Sequence, residues 1–239
     1  MWMICKKEWQ QYFSSLTGYI IIIVFLLVNG LVLFVFEDNI FSFGYATLDK
    51  FFQLAPWLLL LLIPAITMRS FAEEFKLGTY EILQTLPLTH KQIVLGKYFG
   101  SLLVALIALL PTLIYIISIQ QLSTGNGLDL GATFGAYIGL FFLAAVFSAI
   151  GIYSSSFTNN AVVAFIISLI ACALLYYGFS AISKLPLLIG SLDYYIEMIG
   201  IDFHYSSISR GVIDTRDLVY FISITTLLLL LTEKNLQRR

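Results

Sequence analysis

The chain has 239 residues, 59% of them hydrophobic and 11% charged, with a formal net charge of −1 and a mean hydropathy of +0.92. That balance excludes a soluble globular domain, and basic residues scattered at the edges of apolar runs offer no field for nucleic acid. The chain reads as an all-α integral membrane protein, because a lone lipid-exposed strand would leave its backbone unpaired.

Residues 1–15, MWMICKKEWQQYFSS, place Trp2, Cys5, Trp9 and Tyr12 with Phe13 on one helical stripe, opposite Lys6, Lys7, Gln10 and Gln11. This is the pattern of an amphipathic helix lying in the membrane interface. Six apolar runs follow, at about 16–36, 52–68, 98–119, 132–153, 161–179 and 217–232. At 1.5 Å per residue, about 17 to 22 residues cover roughly 25 to 33 Å, the thickness of a hydrocarbon core. The first run carries sixteen Leu, Ile, Val and Phe against one Asn29, and Glu37 and Asp38 follow it without a small-residue cleavage site. It is expected to stay as a span. Pro56 and Pro64 bracket the second span and Pro111 lies in the third, where each removes a backbone donor and bends its helix.

Between the second and third spans runs TMRSFAEEFKLGTYEILQTLPLTHKQIVLGK, residues 67–97. Gly78 interrupts an acidic first part that includes Glu73 and Glu74, and TYEILQTL then offers Ile82, Leu83 and Leu86 on one face before Pro87 ends the turn. Thr89 with Gln92 forms a capping-box signature opening the next helix. A short helix with its own apolar face either lies on lipid headgroups or fills a groove on a soluble partner. Glu73, Glu74 and Glu81 beside it favour a protein, since anionic headgroups repel carboxylates.

GATFGAYIG spaces Gly131, Gly135 and Gly139 four apart, and Gly96 and Gly100 repeat the spacing. Such stripes let a second helix approach closely, within the subunit or between subunits. Cys5 and Cys172 are expected to be unpaired thiols. In the segment 180–216, Leu188, Leu192, Tyr195, Ile196 and Ile199 form a stripe opposite Asp193 and Glu197, which predicts a re-entrant or interfacial helical segment. His204 and Arg210 follow it and are expected in solvent.

With the N-terminus inside, nine of the thirteen Lys and Arg (Lys6, Lys7, Arg69, Lys76, Lys91, Lys97, Lys234, Arg238, Arg239) fall inside and four outside. The positive-inside bias therefore predicts two cytoplasmic termini and makes residues 69–97 a cytoplasmic loop. No GxxxxGK[ST] sequence occurs, and His90 and His204 fall on opposite sides with no HExxH. No catalytic residue, cofactor site or metal site is expected. The spans hold no Asp, Glu, Lys or Arg in their interiors, unlike ion-coupled carriers.

Together, EExxxGTxExLxxLP at 73–87, the following helix with Lys91, Gly96 and Lys97, and the interfacial N-terminal helix resemble the type-2 export class of ATP-binding cassette permeases. SLTGYI, APWLLLLLIPAITMRSFAEE, GTYEILQTLPL, ALLPTLIY and SISRGVIDTRDLVYF are most similar to the gliding-motility-associated permease subunit of gliding bacteria. The resemblance spans the chain and implies a single permease domain over 1–239. Its parts are a connecting helix (1–15), spans 1–2 (16–68), a coupling loop (69–97), spans 3–5 (98–179), an outer segment (180–216), and span 6 with its tail (217–239).

The resemblance further implies a coupling helix around Gly78 to Leu86, held in a cleft of a separate cytoplasmic ATPase that binds the ATP and magnesium. Glu73, Glu74, Gly78, Thr79, Glu81 and Leu83 occupy its motif positions. The chain departs from the pattern at Phe75, where relatives often carry a basic residue; Lys76 follows. Also implied are a second permease copy or related subunit, an accessory membrane protein, and a place in the bacterial inner membrane. A membrane scaffold for a motility or secretion machine is the alternative function.

Overall fold

In lipid a backbone satisfies its own hydrogen bonds only as helix or closed barrel, and every apolar run here is helical. The computed structural model describes residues 1–36, 47–123, 127–186, 190 and 193–238. Glu37, Asp38, Leu188 and Leu192 lie outside these. In chain order the helices are α1 (Trp2–Ser14), α2 (Leu16–Phe34), α3 (Asp49–Thr67), α4 (Ala72–Leu77), α5 (Thr79–Gln84), α6 (His90–Leu109) and α7 (Leu113–Leu122). They continue as α8 (Leu130–Ser155), α9 (Ala161–Ala173), α10 (Phe179–Ser183), α11 (Asp193–Glu197), α12 (Ile201–Ser209) and α13 (Thr215–Gln237). No strand occurs among the described residues.

Among the described residues five stretches are long and apolar enough to cross a membrane: Asp49–Leu77, His90–Leu122, Leu130–Ser155, Ala161–Ser183 and Thr215–Gln237. The sixth expected span is α2, which joins α1 at a 73° bend. The extended backbone of Ser15 (φ −98, ψ 134) makes that corner.

Of these spans α8 is the most deeply buried, packed against α3, α6, α9, α12 and α13. Its sequence explains this, because Gly135, Ala136, Gly139, Ala144, Ala145, Ala149 and Gly151 let neighbours come close on several sides. The tightest approach is at Gly151, where an added Cβ would stand 2.7 Å from the Cβ of Thr67 and closer still to its hydroxyl.

Two of the prolines shape the neighbouring polar contacts. Pro56 supplies no N–H to the carbonyl four residues before it, and that carbonyl, Phe52 O, accepts a 2.7 Å hydrogen bond from the Tyr205 hydroxyl. Pro111 opens a 3-10 turn at Leu110–Thr112 between α6 and α7, where Tyr137 donates to the Thr112 carbonyl at 3.0 Å.

His204 departs from its expected solvent exposure: it is buried in α12 at 4% exposure. Its Nδ1 lies 2.7 Å from Asp217 Oδ1, its Nε2 lies 2.9 Å from the Met198 carbonyl, and the Tyr220 ring stacks on it at 3.8 Å. Both ring nitrogens face oxygen atoms of other residues. The partners sit in other segments, which hid this pairing in the sequence. Arg210 is exposed as expected.

We predict that Gly151→Ala lowers stability by about 1 to 3 kcal/mol through overpacking against Thr67. Gly30→Ala, where the nearest atom would be at 3.6 Å, should leave it nearly unchanged. Thermal unfolding of the detergent-solubilised protein measures both.

Candidate functional site

The described charged side chains with long-range ion pairs gather mainly at the end of the bundle where α1, α4, α5 and the start of α6 meet. α1 lies along α6 because Gly96 and Gly100 form a groove for it. A Cβ at Gly96 would stand 2.8 Å from Ile4 Cβ, and one at Gly100 2.8 Å from Glu8 Cβ. Ile4 and Cys5 are thereby buried, while Trp2 and Trp9 stay exposed. Of the expected stripe, Cys5 is thus buried beside Ile4 and Tyr12 and Phe13 are half-buried, while the tryptophans are left for the membrane interface.

Between Gly96 and Gly100 stands Lys97, 1% exposed. Its ammonium lies 2.7 Å from Glu8 Oε1 and 2.9 Å from Glu74 Oε1, and donates to the Ser70 carbonyl at 2.6 Å. Three acceptors meet three N–H donors, which is the condition under which a buried ammonium is tolerated. The Phe71 ring lies 4.9 Å from the same nitrogen, adding a cation–π contact. Lys7 reaches Glu74 Oε1 at 3.0 Å, so two ammoniums balance two carboxylates. Four segments, α1, the turn after α3, α4 and α6, are held at one point.

The start of α4 is fixed from another direction. Its first amides have no intrahelical acceptor, and those of Phe71 and Ala72 donate to Ser155 Oγ at the end of α8, at 2.9 and 3.1 Å. At the end of α13, Asn235 Nδ2 donates to the Ser156 carbonyl at 3.0 Å.

Gly78 then ends α4 and begins α5 in the left-handed conformation, φ +69, which glycine adopts without a Cβ penalty. After this turn Tyr80 is buried among Phe71, Ile4, Ile93, Val94, Ile152 and Leu236, with Leu83 packed partly against the same cluster. Ile82 and Leu86 face outward at 66% and 48% exposure, as does Leu77 at 66%. The expected single face of Ile82, Leu83 and Leu86 is therefore divided: Leu83 helps hold the helix down, and Ile82 and Leu86 remain free to touch something. Thr79 and Glu81 are exposed, Glu73 is half-buried, and Glu74 is buried in the ion cluster. Thr89 and Gln92 make both bonds of their capping box at the start of α6.

Of the α8 glycines, Gly135 approaches the Gly211 backbone to 3.0 Å and Gly139 approaches Ile208 to 3.2 Å, measured from an added Cβ. Gly131 meets only its own cap, Asp129. Among the described residues no group of His, Cys, Asp and Glu converges to hold a metal ion.

The family model for ABC-2 family transporter protein matches residues 40–232. The chain belongs to this family. No curated protein matches it. As an ABC-2 family member it is a multi-pass membrane protein and the permease subunit of an ABC transporter, the subunit that is typically non-catalytic, and membership implies a cytoplasmic ATPase subunit as partner.

The sequence placed Lys97 among the inside charges and in the helix that carries the family resemblance, without a partner for it, and did not single out Glu8, Tyr80 or Ser155. One signal was legible: Ile4 and Glu8 share the spacing of Gly96 and Gly100, so two four-residue repeats on two helices match.

Lys97→Met is predicted to lower the stability of this permease by about 3 kcal/mol, because two carboxylates remain partly buried around a lost cation. Adding Glu8→Gln and Glu74→Gln should recover much of the loss. Thermal unfolding of the three-residue variant beside Lys97→Met checks the pairing.

Proposed function

We propose that α5 is the coupling helix of this permease: the outward side chains Leu77, Ile82 and Leu86 enter a cleft of the cytoplasmic ATPase, with Glu73 and Glu81 beside them. The observation that carries the reading is the division of the segment Thr79–Leu86 into an inward pair on α5, Tyr80 and Leu83, and two outward side chains, Ile82 on α5 and Leu86 in the bend just after it. Exposed apolar side chains on a short helix and the bend that follows it suit a groove on a partner.

In this reading both termini and residues 69–97 are cytoplasmic, and the bundle lies in a bacterial inner membrane. The ATPase binds ATP and magnesium, and its closing and opening move α5. Because α4 is tied to α1 and α6 through Lys97, the push becomes a tilt of α3 and α6 together. Two ATPase sites call for a second permease copy or a related membrane subunit. The resemblance to gliding-type permeases supports a role linked to gliding motility, with an accessory membrane protein in the complex, in export or conformational work.

Ile82→Asp and Leu86→Asp test the docking surface. Each removes an exposed apolar contact worth roughly 1.5 to 3 kcal/mol when buried, so co-purification of the ATPase should fall by about tenfold or more, with unfolding temperature and membrane insertion unchanged. ATPase recovered at the wild-type level with both variants would overturn the assignment.

A further inference from the structure

At the end of the bundle opposite Lys97, α3, α12 and the Ala161–Ser183 span border a cavity of about 590 Å³. Trp57, Tyr176, Tyr177 and Tyr205 line it. The Ala161–Ser183 span contains a π turn at Leu174–Gly178, which takes an extra residue into the turn and brings two consecutive tyrosines to one wall. Such turns recur at functional sites.

The rings do not stack. Trp57 meets Tyr176 at 5.9 Å and 84° and Tyr177 at 5.6 Å and 54°, and Tyr176 meets Tyr205 at 6.4 Å and 59°. A stacked slab would cover its own faces, whereas the tilted Trp57 and Tyr177, 46% and 44% exposed, leave electron-rich faces for a ligand. An aromatic belt at a bilayer surface holds its rings outward toward headgroups. Here Tyr176 and Tyr205 line the cavity while only 4% and 3% exposed.

Asp49 and Asp202 line the same space, with Arg210 as its cation. Two carboxylates against one guanidinium leave a net negative wall. Arg210 is exposed, and its Nε donates to the Ser206 carbonyl at 3.0 Å. Asp202 is half-buried, and Ser206 Oγ lies 3.5 Å from its Oδ1. An anion is repelled by this wall, and a neutral apolar ligand would strip water from two carboxylates without compensation.

We propose that this cavity binds an organic cation, a quaternary or protonated amine whose apolar skirt contacts Trp57 and Tyr177 and whose charge faces Asp202 and Asp49. The assignment goes beyond ATPase docking and does not depend on it. A free amine and the amine of a lipid headgroup share this chemistry.

The chain has three tryptophans, so Trp2→Phe with Trp9→Phe makes Trp57 the sole indole reporter. This variant, in phosphatidylglycerol nanodiscs, is titrated with choline and with its uncharged isostere 3,3-dimethyl-1-butanol. A saturable change in Trp57 emission is expected with choline, with the isostere roughly tenfold weaker or without effect. Asp202→Asn should weaken choline binding roughly tenfold, and Asp49→Asn, at an exposed position, should weaken it without risk to folding. In phosphatidylcholine nanodiscs, loss of the choline response identifies the lipid headgroup as occupant, and its persistence identifies the free amine. No saturable change in phosphatidylglycerol, an equal response to the isostere, or indifference to both aspartate variants overturns the proposal.

Discussion

A buried lysine that satisfies three acceptors at once is a demanding contact, and the end of this permease that carries the loop is organised around one. Lys97 needs Glu8 from α1, Glu74 from α4 and the Ser70 carbonyl from the turn between α3 and α4, at 2.7, 2.9 and 2.6 Å. Removing any of the three leaves a charge or a donor without its partner away from water, so the geometry is held from several sides. Gly96 and Gly100 belong to the same constraint, since only their lack of side chains lets α1 come near enough for Glu8 to reach across. Glu74 draws in Lys7 as well, which keeps the cluster neutral.

The coupling role proposed for the short α5 depends on this point of attachment. A two-turn loop element surrounded only by water would absorb a push by bending. Here α4 is locked to α6 through Lys97 and to α8 through Ser155, and Tyr80 sits in a core made of residues from α1, α6, α8 and α13. Force on Ile82 or Leu86 therefore reaches several spans. The opposite end is built differently, with Tyr205 closing the gap left by Pro56 and His204 joined to Asp217 beside an aromatic cavity.

The sequence displayed the spans clearly because lipid imposes a simple rule: long apolar runs must be helices. The capping box at Thr89 and Gln92 was equally plain, since its bonds are local. What it concealed were contacts between distant segments. Lys97 and Glu8 are 89 positions apart, and Phe71 and Ser155 are 84 apart; no periodicity reports such pairings. Leu83 was grouped with Ile82 and Leu86 because so short a helix has no unique buried side until Tyr80 finds its pocket. His204 looked exposed because its partner, Asp217, lies on another helix.

The central claim is that α1 and α4 move as one body when the ATPase cycles. The direct measurement is pulsed electron–electron distance spectroscopy on the ATPase-bound complex, with Cys5 and Cys172, both buried, replaced and spin labels placed at Gln10 and Lys76, which are exposed. A second pair joins Lys76 to the exposed Val212 at the other end. The account predicts that the Gln10–Lys76 distance is the same without nucleotide and with trapped ATP while the Lys76–Val212 distance shifts, and that Lys97→Met broadens the first distribution. A Gln10–Lys76 distance that changes with nucleotide in the otherwise unaltered complex would contradict it.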